Sequence, residues 1–270
     1  MDLPKPSARE DIKDWFMRKA PPHSIALFRI VFGISLMYAW APRAVEASAY
    51  LTVFIMMLLL LITIGWFMRV AALLSAFIYL YVSLSLNFAT SILEPSTVII
   101  MLVLMMSGAD KTFSVAMRRK YGSAIEHEYT SIFPQRIFSL SLTAFYIIIG
   151  LDKFLDPMWQ SGVQLWSSAI GSRDKEITSW VARQRLPVSM FNWIIYIAKA
   201  FGIMLPICVW IPSVRLLFFV GVIVMHVLSG LFLDMWWTLA LAPLYIPFVD
   251  PEVMMKKLVG CGSADKLNSK

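Results

Sequence analysis

A small set of ionisable side chains interrupts otherwise apolar runs of this chain: Arg29, Glu94, Asp152, Lys153, Lys199, His226 and Asp234. An ionisable group in such a run is costly to keep and marks a functional site by default. The densest case is the stretch FYIIIGLDKFLDPMWQSG, Phe145 to Gly162, where Asp152 and Lys153 end a long apolar segment. Desolvation disfavours the charged form of a lysine, which leaves a neutral amine able to act as a base. Asp152 opposes this, since a neighbouring carboxylate favours the ammonium; adjacent helical residues point in different directions, however, and need not pair. An imidazole such as His226 can take up or return a proton near neutrality. The structural alternative is that these are interfacial charges, hydrated or paired without any chemistry.

The elements that position them are set by composition. Hydrophobic residues make up 59% of the 270 and charged residues only 15%, outside the range of ordinary soluble domains. Several runs are long enough for a bilayer core of roughly 30 Å. The expected fold is an all-α polytopic membrane helix bundle of eight spans: Ser24–Ala41, Ala47–Phe67, Val70–Phe88, Ile92–Gly108, Arg136–Phe154, Val188–Trp210, Val214–Met235 and Trp236–Val249. This gives a leader (1–23), one transmembrane domain (24–250) and a tail (251–270). Ser7–Lys19 reads as an amphipathic helix whose Trp15, Phe16 and Met17 either rest in the interface or belong to a solvated leader. No small-residue cleavage site follows a short apolar core, so span one is expected to be an uncleaved anchor.

Most of the 24 basic residues fall on one side if both termini are cytoplasmic. The net charge of +7 then reflects cytoplasmic loops facing anionic lipid, and nucleic acid is not an expected partner. Trp40, Trp66, Trp210, Trp236 and Trp237 lie at span ends and read as headgroup anchors. Cys208 and Cys261 have no spacing partner for a disulfide or a metal. The Glu126-His127-Glu128 triplet reads as a solvated loop, and no metal site is expected. The segment Leu155–Pro187 reads as extracytoplasmic, either a lid or a connector.

Depth follows at about 1.5 Å per helical residue. Lys153 falls roughly 25 Å along span five, at the outer edge. Glu94, Asp152 and Asp234 share that level. Lys199 and His226 lie nearer the midplane, and Arg29 is shallow on the inner side, where it could snorkel. The expected site opens outward and is built from Glu94, Asp152, Lys153, His226 and Asp234.

Three stretches carry a family resemblance: IALFRIVFG (Ile25–Gly33), IIIGLDKFLDPMWQSG (Ile147–Gly162) and MHVLSGLFLDMWWTLALAPLYIPFVDPE (Met225–Glu252). They resemble the membrane domain of vitamin K-dependent gamma-glutamyl carboxylases, the horizontally transferred transmembrane (HTTM) family, from Trp15 to about Leu258. The DoxX-like proteins, which share a Gly-x-x-Lys feature, are the competing assignment. The resemblance implies Lys153 as the base that deprotonates a reduced quinone, a vitamin K-like hydroquinone. It implies His226 as a second catalytic residue, in a quinol pocket to which Asp152, Glu94, Asp234 and Trp159 contribute. Asp152 stands where animal enzymes carry a second lysine, and no histidine lies near Glu94. The chain also ends soon after the last span, so processive carboxylation of a propeptide-bearing protein is not expected from it alone. Bacterial sporulation-delaying protein B-like members, which mature a secreted peptide with a partner, suggest a role of matching size.

The expected function is therefore a quinol-linked enzyme or secreted-peptide maturation factor of a bacterial inner membrane. Its partners would be the bilayer, a secreted peptide and a membrane or extracytoplasmic protein. The alternatives are a non-catalytic scaffold and, less favoured for want of an inverted repeat, a transporter using Lys199 and His226.

Overall fold

The computed structural model describes residues 8–40, 49–85, 93–124, 128–155, 160, 162–163, 166–167, 187–233 and 236–254, with the side chains at 8–11, 40, 82–83, 85, 93–96, 149, 152–153, 229–233 and 236–241 excepted. The chain folds largely as helices: α1 (Ala8–Met17), α2 (His23–Trp40), α3 (Ala49–Ile64), α4 (Met68–Ser85), α5 (Leu93–Met106), α6 (Val115–Tyr121), α7 (Phe133–Leu155), α8 (Val188–Cys208) and α9 (Pro212–Leu233). The fold is thus mostly helical. Its described sheet is a single antiparallel rung, β1 (Lys19–Ala20) with β2 (Thr130–Ser131), which pairs Lys19 with Ser131 and Ala20 with Thr130.

Among the described residues α8 is long and apolar enough to cross a membrane. Shorter apolar helices cover His23–Ala39, Ala49–Ile64, Met68–Tyr81, Thr97–Met106 and Pro212–Leu228. The final apolar run differs from expectation, because Trp236–Phe248 winds as a 3-10 helix. Pro243 and Pro247 lie inside it; in an α-helix each would remove an N–H and collide with the carbonyl four residues back.

The chain divides into two compact units, residues 1–139 with 249–270, and residues 140–248. In the first, α2 is the central element. Phe28, Phe32 and Leu36 are fully buried; Phe28 stacks on Phe32 at 5.1 Å and meets Phe138 at 5.3 Å. Leu59 and Ile62 of α3, and Met101 and Leu104 of α5, complete this core.

α1 packs on the protein through Trp15 and Phe16. The Arg136 guanidinium lies 4.4 Å over the Trp15 ring, and Phe16 meets Phe133 at 6.3 Å. At its exit Arg18 Nη2 donates to Asp250 Oδ2 at 2.8 Å. The aromatic face of the helix is therefore spent on the protein.

Arg29 corrects the snorkelling expectation. Its side chain is fully buried; Nη1 donates to the Ala109 carbonyl and Nη2 to the Phe113 carbonyl, each at 2.6 Å. These carbonyls belong to the turn after α5, where Ala109 opens a short 3-10 helix, Ala109–Lys111. Ser114 continues the turn: its Oγ donates to Asp110 O at 2.6 Å and accepts from Met117 N at 3.1 Å, capping α6. Room for the guanidinium comes from Gly65, which has φ +70°. A Cβ there would lie 2.5 Å from both Arg29 Nη1 and Ser114 Cβ.

Glu128 also departs from the solvated reading. Lys111 Nζ stands 3.0 Å from its Oε2, and Lys120 Nζ and the Tyr121 hydroxyl, the latter at 2.8 Å, both donate to Oε1. Lys120, then Lys111 and Tyr121, hold its carboxyl down to about 2 by hydrogen bonding. Glu126 and His127 lie outside the described residues.

Two predictions follow from this unit. Arg29→Met strands two buried carbonyls, and Gly65→Ala meets both a clash and an unfavourable φ. Each should cost about 2–5 kcal/mol and lower the unfolding midpoint of the purified protein. A midpoint within 1 °C of wild type would exclude the Arg29 role. For Glu128, a depressed folded pKa means its stabilisation is complete above the ordinary value of 4.5 and is lost as pH falls from there through about 2. Hydrogen exchange of residues 111–121 should accelerate over that window in wild type. In Glu128→Gln it should be fast throughout, with no such step.

Candidate functional site

The second unit contains α7 from Leu140 onward, all of α8 and α9, and the 3-10 helix. Two glycines let α7 and α8 approach closely. A Cβ on Gly150 would lie 3.1 Å from the Gly202 carbonyl oxygen, whereas a Cβ on Gly202 would meet Gly150 Cα at an ordinary 3.8 Å. On α9, Gly221 leaves space for the Phe201 ring, which stacks on Phe218 at 5.0 Å. Trp210 packs within this unit. Its Nε1 donates to Thr143 Oγ1 at 3.0 Å, and its ring meets Phe248 edge-on at 5.1 Å.

These approaches frame a cavity of about 120 Å³. Its polar lining comes from Tyr146 on α7, His226 on α9 and Tyr245 on the 3-10 helix; Gly150, Gly202 and apolar side chains of α8 and α9 supply the rest. The Tyr146 and Tyr245 rings lie 5.7 Å apart, and Tyr245 also packs on Phe219 at 5.6 Å. An engineered cavity of roughly 150 Å³ accepts benzene, so this space suits a single ring rather than a peptide. Two phenols and an imidazole can donate to, or accept from, oxygens on that ring.

His226 is thus placed in the cavity lining, as the sequence suggested. Position 153 follows Gly150 by three residues and Tyr146 by seven, so its Cα falls on the stripe of α7 that carries both. The side chains of Lys153 and Asp152 lie outside the described residues, as do Asp234 and Trp159 entirely. Glu94 opens α5 in the first unit, and its side chain is also outside the description. Lys199 does not join the lining. It is 4% exposed, with Nζ 3.4 Å from Gln160 Oε1 and 5.4 Å from the Phe154 ring centre. Among the described residues no three His, Cys, Asp or Glu side chains gather to hold a metal ion.

Charge-based reading of the sequence missed Tyr146, Tyr245 and the Gly150–Gly202 approach. The available signal was the four-residue spacing of Tyr146 and Gly150 ahead of Lys153, which puts a small residue and a phenol on one helical stripe. Compared with known proteins, the chain matches no family model, no curated protein and no solved structure.

The glycine pair gives an asymmetric prediction. Gly150→Ala drives a methyl against a backbone carbonyl and should lower stability by about 1–3 kcal/mol. Gly202→Ala meets only ordinary contact and gains helix propensity, so its melting temperature should equal or exceed that of wild type. Thermal unfolding of both variants in one detergent checks the pair; equal destabilisation would discount the close approach.

Proposed function

We propose that this chain is a polytopic membrane protein of eight spans with both termini cytoplasmic, as in a bacterial inner membrane. Its ring-sized cavity would serve a quinol-linked reaction resembling that of the vitamin K-dependent carboxylase membrane domain. The membrane reading is supported by where apolar surface lies. Only 33% of the most apolar stretch of α8 is buried, whereas the core helix of a soluble protein would be mostly covered. Trp193 and Ile197 on α8, Leu216 and Leu217 on α9, and Val70, Phe77 and Leu84 on α4 all point outward, each more than half exposed. Such continuous apolar faces belong in contact with lipid or a partner. The 3-10 winding of Trp236–Phe248 supports the eighth span. At about 2.0 Å per residue its 13 residues reach roughly 26 Å, against roughly 20 Å as an α-helix.

The observation that carries the activity is the shared stripe of Tyr146, Gly150 and position 153 beside a cavity that His226 also lines. The cavity's size and donor set fit the head group of a reduced quinone, with Tyr146, Tyr245 and His226 as the residues that would hold it. A bound hydroquinone would supply an acidic hydroxyl and reducing equivalents. Lys153, near an apolar boundary, would accept a proton as a neutral amine; His226 would position the ring and take part in returning the proton. Glycines 150 and 202 bring the helices close enough to exclude water from that transfer. Product chemistry then falls to an acceptor such as a secreted peptide, with a membrane or extracytoplasmic partner presenting it.

Oxygen consumption by the purified protein in nanodiscs with reduced naphthoquinone tests this. Wild type should consume oxygen above background. Lys153→Ala should lose at least about ten-fold of the rate while folding normally, as expected for removal of a general base. Equal rates in wild type and Lys153→Ala would remove the quinol mechanism and leave a scaffold.

A further inference from the structure

Lys199 is a buried cation whose described surroundings carry no countercharge. Its side chain is 4% exposed on α8. An ammonium offers three donors, yet its described partners are one neutral amide oxygen, Gln160 Oε1 at 3.4 Å, and the face of Phe154 at 5.4 Å. A carbonyl at the long limit and an aromatic quadrupole offset part of the desolvation cost of a positive charge, not its whole. The partners themselves are held in place. Gln160 Nε2 donates to the Phe154 carbonyl, and Gly162 N donates to Asn192 Oδ1, seven residues before Lys199 on the same helix. A Cβ on Gly162 would collide with the α8 backbone at Phe191. Gln160 and Gly162 therefore lie against the first half of α8, with Gln160 beside the ammonium.

The chemistry of these surroundings selects the occupant. One ammonium balances one negative charge, which matches a carboxylate; a phosphate monoester would bring nearly two charges and more acceptor oxygens than the site has donors. The neighbouring side chains are apolar: Ile195 is buried, as is Ala198, and Phe154 supplies a ring. One helical turn further along α8, Gly202 opens the cavity of about 120 Å³. An acid seated at Lys199 would thus have an apolar body able to lie along this face of α8. We propose that Lys199 is an anion-binding residue that receives the carboxylate of an amphiphilic monocarboxylate. This site stands on the Lys199 geometry alone and does not depend on the quinol reading, so a Lys199 result and a Lys153 oxygen-uptake result are read separately.

Equilibrium binding of radiolabelled laurate to the full-length protein in a non-ionic detergent tests it. Laurate should bind wild type saturably, and unlabelled laurate should compete while dodecanol, which has the same chain and no charge, should not. Lys199→Met should weaken binding about ten-fold or more, the loss expected for one charge-assisted hydrogen bond, and Lys199→Arg should recover part of it. Acetate competing as well as laurate would assign the carboxylate to a small soluble acid; acetate failing to compete would assign it to a membrane-derived fatty acid. No saturable binding, competition by dodecanol equal to that by laurate, or unchanged affinity in Lys199→Met would each overturn the proposal. The dodecanol comparison uses wild type alone and decides the matter even where Lys199→Met fails to fold.

Discussion

The first unit depends on one buried guanidinium. Arg29 donates to two turn carbonyls, at 2.6 Å each, and so ties down the path from α5 into α6. The constraint spreads along the chain. Gly65 must lack a side chain because the guanidinium fills that space, and the turn between α3 and α4 must accept a positive φ as a result. Ser114 caps α6 from the same turn, and α6 and the turn before it then present Lys120, Tyr121 and Lys111 to Glu128. A planar fork with several fixed donors holds two carbonyls at once in a set geometry, with less entropy lost per bond than a lysine.

In the second unit the organising device is close packing, not charge. Gly150 and Gly202 remove the side chains that would keep α7 and α8 apart, and Gly221 does the same for the Phe201 ring. Small residues at helix contacts are what association in an apolar medium favours, because lipid tails compete for every other apolar surface. The close approach has a second effect. Space left where two helices touch through glycine is narrow and flat, and it is lined by whatever lies a turn away. Here that is Tyr146 on one side and the α8 wall on the other, so the feature that joins the helices also shapes the ring-sized cavity.

The helical architecture was legible because hydropathy is a statement about burial, and each apolar run expected to be helical has a helical counterpart in the structure. The boundaries shifted by a few residues where caps and prolines intervene. The 3-10 winding of Trp236–Phe248 was written in Pro243 and Pro247, but the apolar pattern alone did not expose it. The β1–β2 rung was not legible, since two-residue pairing follows from how α1 exits and α7 begins and not from any local alternation. For the site, charges in apolar runs named His226, which lines the cavity. They could not name the phenols, because tyrosine in an apolar run looks like packing until its ring is placed beside another.

The intramembrane-type charges flagged together in the sequence separate by the company they keep. Arg29 has carbonyl partners at short distance and a glycine carved to its shape, so its charge is spent on the fold. Arg136, outside that set, covers Trp15 and stands 3.9 Å from Asp250, with Arg18 on the same carboxylate, so its charge is absorbed into structure. Lys199 is equally buried, but its described partners are an amide oxygen and a ring, neither of which carries charge. A buried cation held by several short hydrogen bonds or by a carboxylate serves stability; one left with a single long contact and a ring retains affinity for an anion from outside. Hydropathy alone treats both as the same anomaly, and only the identity and distance of the partners tell a structural cation from one held ready for a ligand.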